Sequence, residues 1–161
     1  MKNKDMNFIL ADVENFIFFQ QRKVDKILSK KEILSKEESI LIYSHFSDSL
    51  HKIANLFRDL EHIKDENVLK DISAISMHVL AWIIFTFPSI ELESPLFAEN
   101  YKIEEKDILD FLAEKLILIE DLSDNIFSLK EESRHIYNSI DKAASLFGFL
   151  ASVMKKNIIE N

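Results

Sequence analysis

Glycine scarcity constrains the fold of this chain more than any other feature. The 161 residues include one glycine, Gly148, and two prolines, Pro88 and Pro95. Hairpins and open loops depend on these residue types, because glycine reaches backbone angles that other residues avoid and proline presets turns. So few of these residues leave little room for a fold of many strands. Phosphate-binding glycine loops are excluded, because neither the dinucleotide-binding nor the Walker motif can be written with one glycine.

The composition predicts a soluble protein of one domain, residues 1–161. Hydrophobic residues are 47% and charged residues 30%, a globular balance, and a chain of this length can bury a real core. The net charge of −8 argues against nucleic acid as a partner. The longest apolar run, residues 79–87, is about half of the ~20 residues that a spanning helix needs, so no membrane partner is expected. The lack of cysteine excludes disulfides and thiolate metal sites and fits a cytoplasmic location.

Apolar residues recur at three- and four-residue steps in five segments, which predicts an all-α fold. The first, third, fourth and fifth predicted helices span about residues 7–29, 68–87, 104–120 and 124–156. The second begins at Ser35, which forms an S-x-x-E capping box with Glu38, and fades at a turn over 64–67. Pro88 is expected to end the third helix. Ser123 offers a break and a new N-cap, although the last two helices could also be one bent helix.

These helices predict a bundle of four or five antiparallel members around a central apolar helix, about 68–87. Toward its end this helix is apolar on nearly every side, which is typical of a fully buried element. Residues 88–101 form the one long irregular segment, and segments of this kind often carry function.

Two carboxylate–histidine pairs at i, i+3 spacing raise the question of a metal site: Asp59 with His62, and Glu132 with His135. Two-metal helix bundles use Glu-x-x-His pairs that point inward, with an inward Glu from each of two further helices. At ~100° per residue, both pairs fall on polar faces, and the further glutamates are missing. We therefore predict no metal or other cofactor. A helical-bundle metal enzyme that uses these four residues is the alternative.

The other polar candidates also have ordinary interpretations. Asp107, Asp110, Glu114 and Asp121 follow one line of the fourth helix, and carboxylates so placed could bind Mg²⁺. No second acidic array faces them, so a solvated acidic face, or one that binds a basic partner, is expected. His78 has apolar neighbours on its helix, which predicts a buried neutral histidine with one hydrogen-bond partner.

Phe18 and Phe19 lie outside the apolar seam of the first helix. Residues 88–101 could cover them, through the apolar side chains Ile90, Leu92, Leu96 and Phe97. Alternatively, the two rings form an interface, where aromatic residues are enriched. We predict a non-catalytic interaction module, such as an adaptor, inhibitor, immunity factor or assembly subunit, that binds a protein partner or a second copy of itself. Its interface candidates are Phe18, Phe19, Asp107, Asp110, Glu114 and Asp121.

Overall fold

The computed structural model describes residues 2–30, 33–58, 60–93, 95–101 and 104–160, without the side chains of 2–7, 61, 98, 126 and 153–160. Over these ranges the chain is helical and contains no strand, which confirms the all-α prediction. The helices are α1 (Lys2–Leu28), α2 (Lys36–Arg58), α3 (Glu66–Glu93), α4 (Leu96–Tyr101), α5 (Glu105–Leu122) and α6 (Ile126–Glu160). A short 3₁₀ turn at Leu60–His62 follows α2.

The capping box at the start of α2 is confirmed. The backbone N–H of Glu38 donates to the Ser35 Oγ, and the N–H of Ser35 donates to the Glu38 carboxylate, each over 3.1 Å. The hydrogen bond from the Ser35 backbone, together with the hydroxyl and nearby Lys30, lowers the pKa of Glu38. Two of the donors that a helix start leaves unpaired are thereby satisfied.

The predicted N-cap at Ser123 is wrong by two residues. The Ser123 hydroxyl donates backward to the Glu120 carbonyl over 2.8 Å, at the end of α5. Asn125 caps α6 instead, because its Oδ1 accepts the backbone N–H of Ser128 over 3.2 Å. Each end of the break has its own side-chain hydrogen bond, so α5 and α6 are two helices.

Pro88 does not end the third helix. It lies inside α3, which continues to Glu93. Pro88 has no N–H to bond to the Ile84 carbonyl, which costs stability. Beyond it, however, Ile90 and Glu91 are both buried, and this tertiary packing sustains the last turn. Within residues 88–101, expected to be irregular, 88–93 are the end of α3 and 96–101 form the short helix α4.

Phe147 of α6 is the hub of the core. Its ring centroid lies 5.2 to 5.6 Å from four other buried rings, which belong to α2, α3 and α4: Tyr43, Phe46, Phe87 and Phe97. Offset and edge-on pairs at these distances stabilise beyond their area of contact. The cluster therefore fastens four helices at one point.

The one glycine, on α6, lies in close contact with Ser47 of α2. A Cβ added to Gly148 would lie 2.7 Å from the Ser47 Oγ, closer than real Cβ contacts allow. That hydroxyl in turn donates to the Ala144 carbonyl of α6 over 2.7 Å. Gly148 is thus required for helix contact and not for a turn.

Contacts between helices give their directions. α2 runs antiparallel to both α1 and α3, so α1 and α3 are parallel neighbours. The pairs that show this are His45–Gln20 and Lys52–Phe16 for α1, and Tyr43–Phe87 and Phe46–Trp82 for α3.

The expected full burial of residues 68–87 is wrong for one face of α3. Phe85 is 82% exposed and Leu92, further along the same helix, is 86% exposed. By length and composition α3 could cross a membrane, but half of its apolar window is buried within the chain. The core helix of a soluble protein meets the same criterion, so this is weak evidence for a membrane span. α2 is more completely enclosed, with buried residues along most of its length.

Candidate interaction surface

An open groove of about 450 Å³ separates α1 from α3. Apolar and polar side chains both line it: Glu14, Asn15, Ile17, Phe18, Gln21, Ala74, Ile75 and His78. The Gln21 side-chain amide donates to the Nε2 of His78 over 2.8 Å and links the two helices. The two walls of the groove are thus joined by a hydrogen bond, and apolar surface lies open beside it.

The outward side of α3 carries an apolar stripe next to this groove. Ala74, Ala81, Phe85 and Leu92 follow one another at steps of seven, four and seven residues, so they share one side of the helix. Across the groove, Phe18 of α1 is 59% exposed. We call these five residues the α1–α3 face. Monomeric proteins seldom keep large exposed apolar patches without a use for them.

Phe18 and Phe19 are not covered by residues 88–101, so that alternative is wrong. Both rings are more than half exposed, at 59% and 56%. Ile90, Leu96 and Phe97 instead enter the core, and Leu92 is exposed. The physical reason is that Phe87 and Phe97 pack against Phe147 and draw the end of α3 and the start of α4 into the core, while Leu92 faces solvent.

The two phenylalanines occupy different surroundings. Phe18 lines the groove, whereas Phe19 lies away from it, beside Lys23 and Lys26. The Lys23 Nζ is 4.3 Å from the centroid of Phe19, and the Arg22 Cζ is 5.6 Å from that of Phe18. Cations over ring faces are favourable contacts at exposed sites, so α1 presents aromatic and basic groups together.

Glutamine–histidine pairs position α1, and sequence reasoning missed them. The adjacent residues Gln20 and Gln21 bind one histidine each: Gln20 accepts from the His45 Nδ1 of α2, and Gln21 donates to His78 of α3. Burial lowers the pKa of His45, helped by nearby Lys23 and opposed by Asp48. His78 has the predicted hydrogen bond but is exposed, because its position on α3 faces the open groove.

Sequence reasoning also missed a buried carboxylate. Glu91 is 3% exposed and accepts the Tyr43 hydroxyl and, over 2.8 Å, the backbone N–H of Phe97. Burial and the neighbouring carboxylate raise the pKa of Tyr43, which keeps its hydroxyl a donor. Glu91 comes four residues after buried Phe87, and this spacing is the signal that places it inward. The carboxylate therefore fixes the start of α4 to the core.

Comparison with known proteins adds a relationship to this geometry. A family model described as "Uncharacterized protein" matches residues 6–161. The chain belongs to this family. An "Uncharacterized protein" of Aquifex aeolicus (strain VF5) is 25% identical over 146 residues, which cover 86% of this chain and 86% of that protein. No solved structure matches the chain. Neither description states an activity, so the function of this family member is argued from its surfaces.

The predicted metal-site residues of this family member do not form a cluster. Glu132, His135 and His62 are exposed, and Asp59 lies outside the described residues. The Lys115 Nζ donates to the His135 Nε2 over 3.2 Å, which occupies one ring nitrogen. Among the residues described, no three histidine, aspartate or glutamate side chains are grouped so that they could hold a metal ion.

The acidic line of α5 is on the surface. Asp107, Asp110, Glu114 and Asp121 are all exposed. Glu114 lies 3.6 Å from the Nζ of buried Lys115, and the other three form no ion pair with any described residue. The line is thus solvated, with its charge directed outward.

Proposed function

We propose that this protein is a non-catalytic interaction module that binds an amphipathic helix against its α1–α3 face. The carrying observation is the open groove between the parallel helices α1 and α3, which exposed Phe18 and Ala74 line, together with the exposed apolar side of α3 that continues from it to Phe85 and Leu92. The bound helix comes from a protein partner or from a second copy of the chain. The roles of adaptor, inhibitor, immunity factor and assembly subunit are all consistent with such binding.

The groove and its borders suit a helix better than a small molecule. Recognition of a helix in a groove uses apolar anchors at i, i+3, i+4 and i+7, which fit between two ridges of side chains. Phe18 and Ala74 line the groove itself, and exposed Phe85 extends the apolar side of α3 two turns beyond His78, where a helix lying along α3 would reach it. Burying a large apolar side chain contributes about 1.5 to 3 kcal/mol, and several are needed to offset the loss of free motion on association.

Charges around the face suggest the character of the partner. Arg22 and Lys23 stack on the phenylalanines of α1, so acidic residues beside the partner's apolar stripe would be favourable. The acidic line Asp107, Asp110, Glu114 and Asp121 is the second proposed contact surface, suited to a basic group on the same assembly. The net charge of −8 supports a protein partner in the cytoplasm and argues against nucleic acid and anionic membranes.

Phe18→Ser combined with Phe85→Ser tests this proposal. Phe127→Ser is the matched control, because Phe127 is 72% exposed but lies on α6. Analytical ultracentrifugation of the unmutated chain comes first. If it self-associates, the double variant should weaken the dimer at least tenfold with little change in melting temperature, since both rings are mostly exposed, while the control should not.

If the unmutated chain is monomeric, a photocrosslinking residue at position 85 reports the partner in extracts of the native host. The same residue at position 127 is the control. The proposal fails if the chain stays monomeric at high concentration and the two positions crosslink the same proteins. It also fails if Phe127→Ser weakens binding as much as the double variant does.

A further inference from the structure

A small cleft lies where the end of α2 meets the middle of α6. Its volume is about 170 Å³, and its described lining is Arg58, Ser133, Arg134, Tyr137 and Asn138. We propose that this cleft binds a small phosphate-class oxyanion, either inorganic phosphate or the phosphate group of a small molecule. This site is separate from the α1–α3 face and does not depend on the proposed function.

The charge of the cleft is unusual for this chain. The sequence has three arginines and a net charge of −8, yet two of the arginines line this one cleft, and its described lining holds no carboxylate. Arg58 is the last residue of α2, where the helix dipole favours a cation. Arg134 lies within α6, so the dipole does not account for it.

An anion would add a partner of opposite charge for these two guanidinium groups. Arg134 forms no ion pair with a described residue, and two like charges at one small site oppose each other. Arg58 interacts with other groups of the chain as well, and an oxyanion would be an additional partner for its five N–H donors. Arginine is suited to this task because its planar fork matches phosphate oxygens two at a time.

Neutral donors complete the cleft. Tyr137 and Asn138 follow Arg134 at i+3 and i+4, which places all three on one side of α6. A tyrosine hydroxyl and an asparagine amide can each donate to an oxyanion. The Ser133 hydroxyl already donates to the Lys130 carbonyl over 2.7 Å, so Ser133 forms part of the wall.

The size of the cleft limits the ligand. Sites for drug-sized molecules measure roughly 300 to 1,000 Å³. A cleft of about 170 Å³ accommodates one phosphate group but not a whole nucleotide. Any larger phosphomonoester would leave its organic part outside, where it gains few contacts.

Isothermal titration calorimetry of the full chain tests the site, with inorganic phosphate and AMP as probes at ionic strength held constant with sodium chloride. We expect phosphate to bind with a dissociation constant of about 1 mM or tighter. Arg134→Gln, which removes one exposed charge, and Arg58→Lys, which keeps the charge but loses the fork, should each weaken binding at least tenfold. Lys36→Gln removes a charge from the other end of α2 and should leave binding unchanged.

The two probes separate the sources of the phosphate group. Similar affinities for phosphate and AMP support a site for the oxyanion alone, whereas at least tenfold tighter binding of AMP supports a phosphomonoester whose organic part contacts the rim. If neither phosphate nor AMP binds at 10 mM, the proposed site is overturned. An equal loss in Lys36→Gln and Arg134→Gln would also overturn it, because binding would then follow net charge alone. If Arg58→Lys lowers the melting temperature, its loss of binding could come from unfolding, and the phosphate affinity of Arg134→Gln then decides.

Discussion

At the scale of single residues, four histidines each join two helices. His45 and His78 bind the glutamines of α1, His51 donates to Asp141 of α6 over 3.0 Å, and His135 accepts from Lys115 of α5. In a sequence, histidines are candidates for metal ligands or pH switches, but these four form hydrogen bonds between helices. His45 is the buried one of these four, and its burial lowers its pKa.

His45 should make stability depend on pH just below neutrality. Its folded pKa is lowered from 6.5, chiefly by burial, so the unfolded chain takes up the proton first as the pH falls. The free energy of unfolding should therefore decrease as the pH falls below about 6.5. Urea denaturation at pH 7.5 and 5.5 measures this slope. His45→Asn should flatten it, whereas His78→Asn should retain it because His45 is still present. An equal slope in His45→Asn and the unmutated chain would contradict the assignment.

At the scale of helices, a local sequence signal predicted the start of α2 but not the end of α3. The start of α2 follows from Ser35 and Glu38 because both partners of the capping box are three residues apart in sequence. Pro88 misled the prediction, because what holds the last turn of α3 is distant in sequence. Glu91 binds Tyr43, which is 48 residues away, and Phe97 at the start of α4. Local patterns cannot report bonds of that kind.

Glu91 should hold α4 in place. Glu91→Ala removes the acceptor for two buried donors, and each buried donor without a partner costs about 1 to 3 kcal/mol. We expect a marked loss of stability and faster amide hydrogen exchange over Leu96–Tyr101. Glu91→Gln, which keeps an acceptor oxygen of the same reach, should lose less in both measurements. Equal losses in the two variants would show that the charge, and not the acceptor oxygen, is what the core requires.

At the scale of the whole molecule, the periodicity of apolar residues predicted the fold class but not how completely α3 is buried by the other helices. Residues 68–87 are apolar on several sides, and this pattern cannot tell a helix wrapped by its own chain from one that leaves an apolar side exposed. Phe85 illustrates the difference, since the chain supplies no further layer to cover it. The position of Phe18 off the seam of α1 was predicted because it is a local property, but the sequence left open whether the ring is covered or exposed. The arginine cleft escaped prediction because it joins residues 58 and 134, which only the tertiary fold brings together.

The aromatic cluster should make the chain unfold as one unit. Phe147→Ala removes the hub of rings from α2, α3 and α4, and large-to-small changes of this kind cost about 3 to 5 kcal/mol. Calorimetry should show one transition at a much lower melting temperature. Phe149→Ala, which removes a ring that is mostly exposed, should change it little. Two separated transitions in the unmutated chain would contradict both the shared core and the single domain.

The contact between Gly148 and Ser47 has a consequence for the history of this family. A methyl group at position 148 would meet the Ser47 hydroxyl at 2.7 Å, so the two positions share one small volume. A larger residue at 148 becomes tolerable once position 47 has become smaller, its hydroxyl has rotated away, or the helices have moved apart. Substitutions at these two positions are therefore expected to be coupled along a lineage.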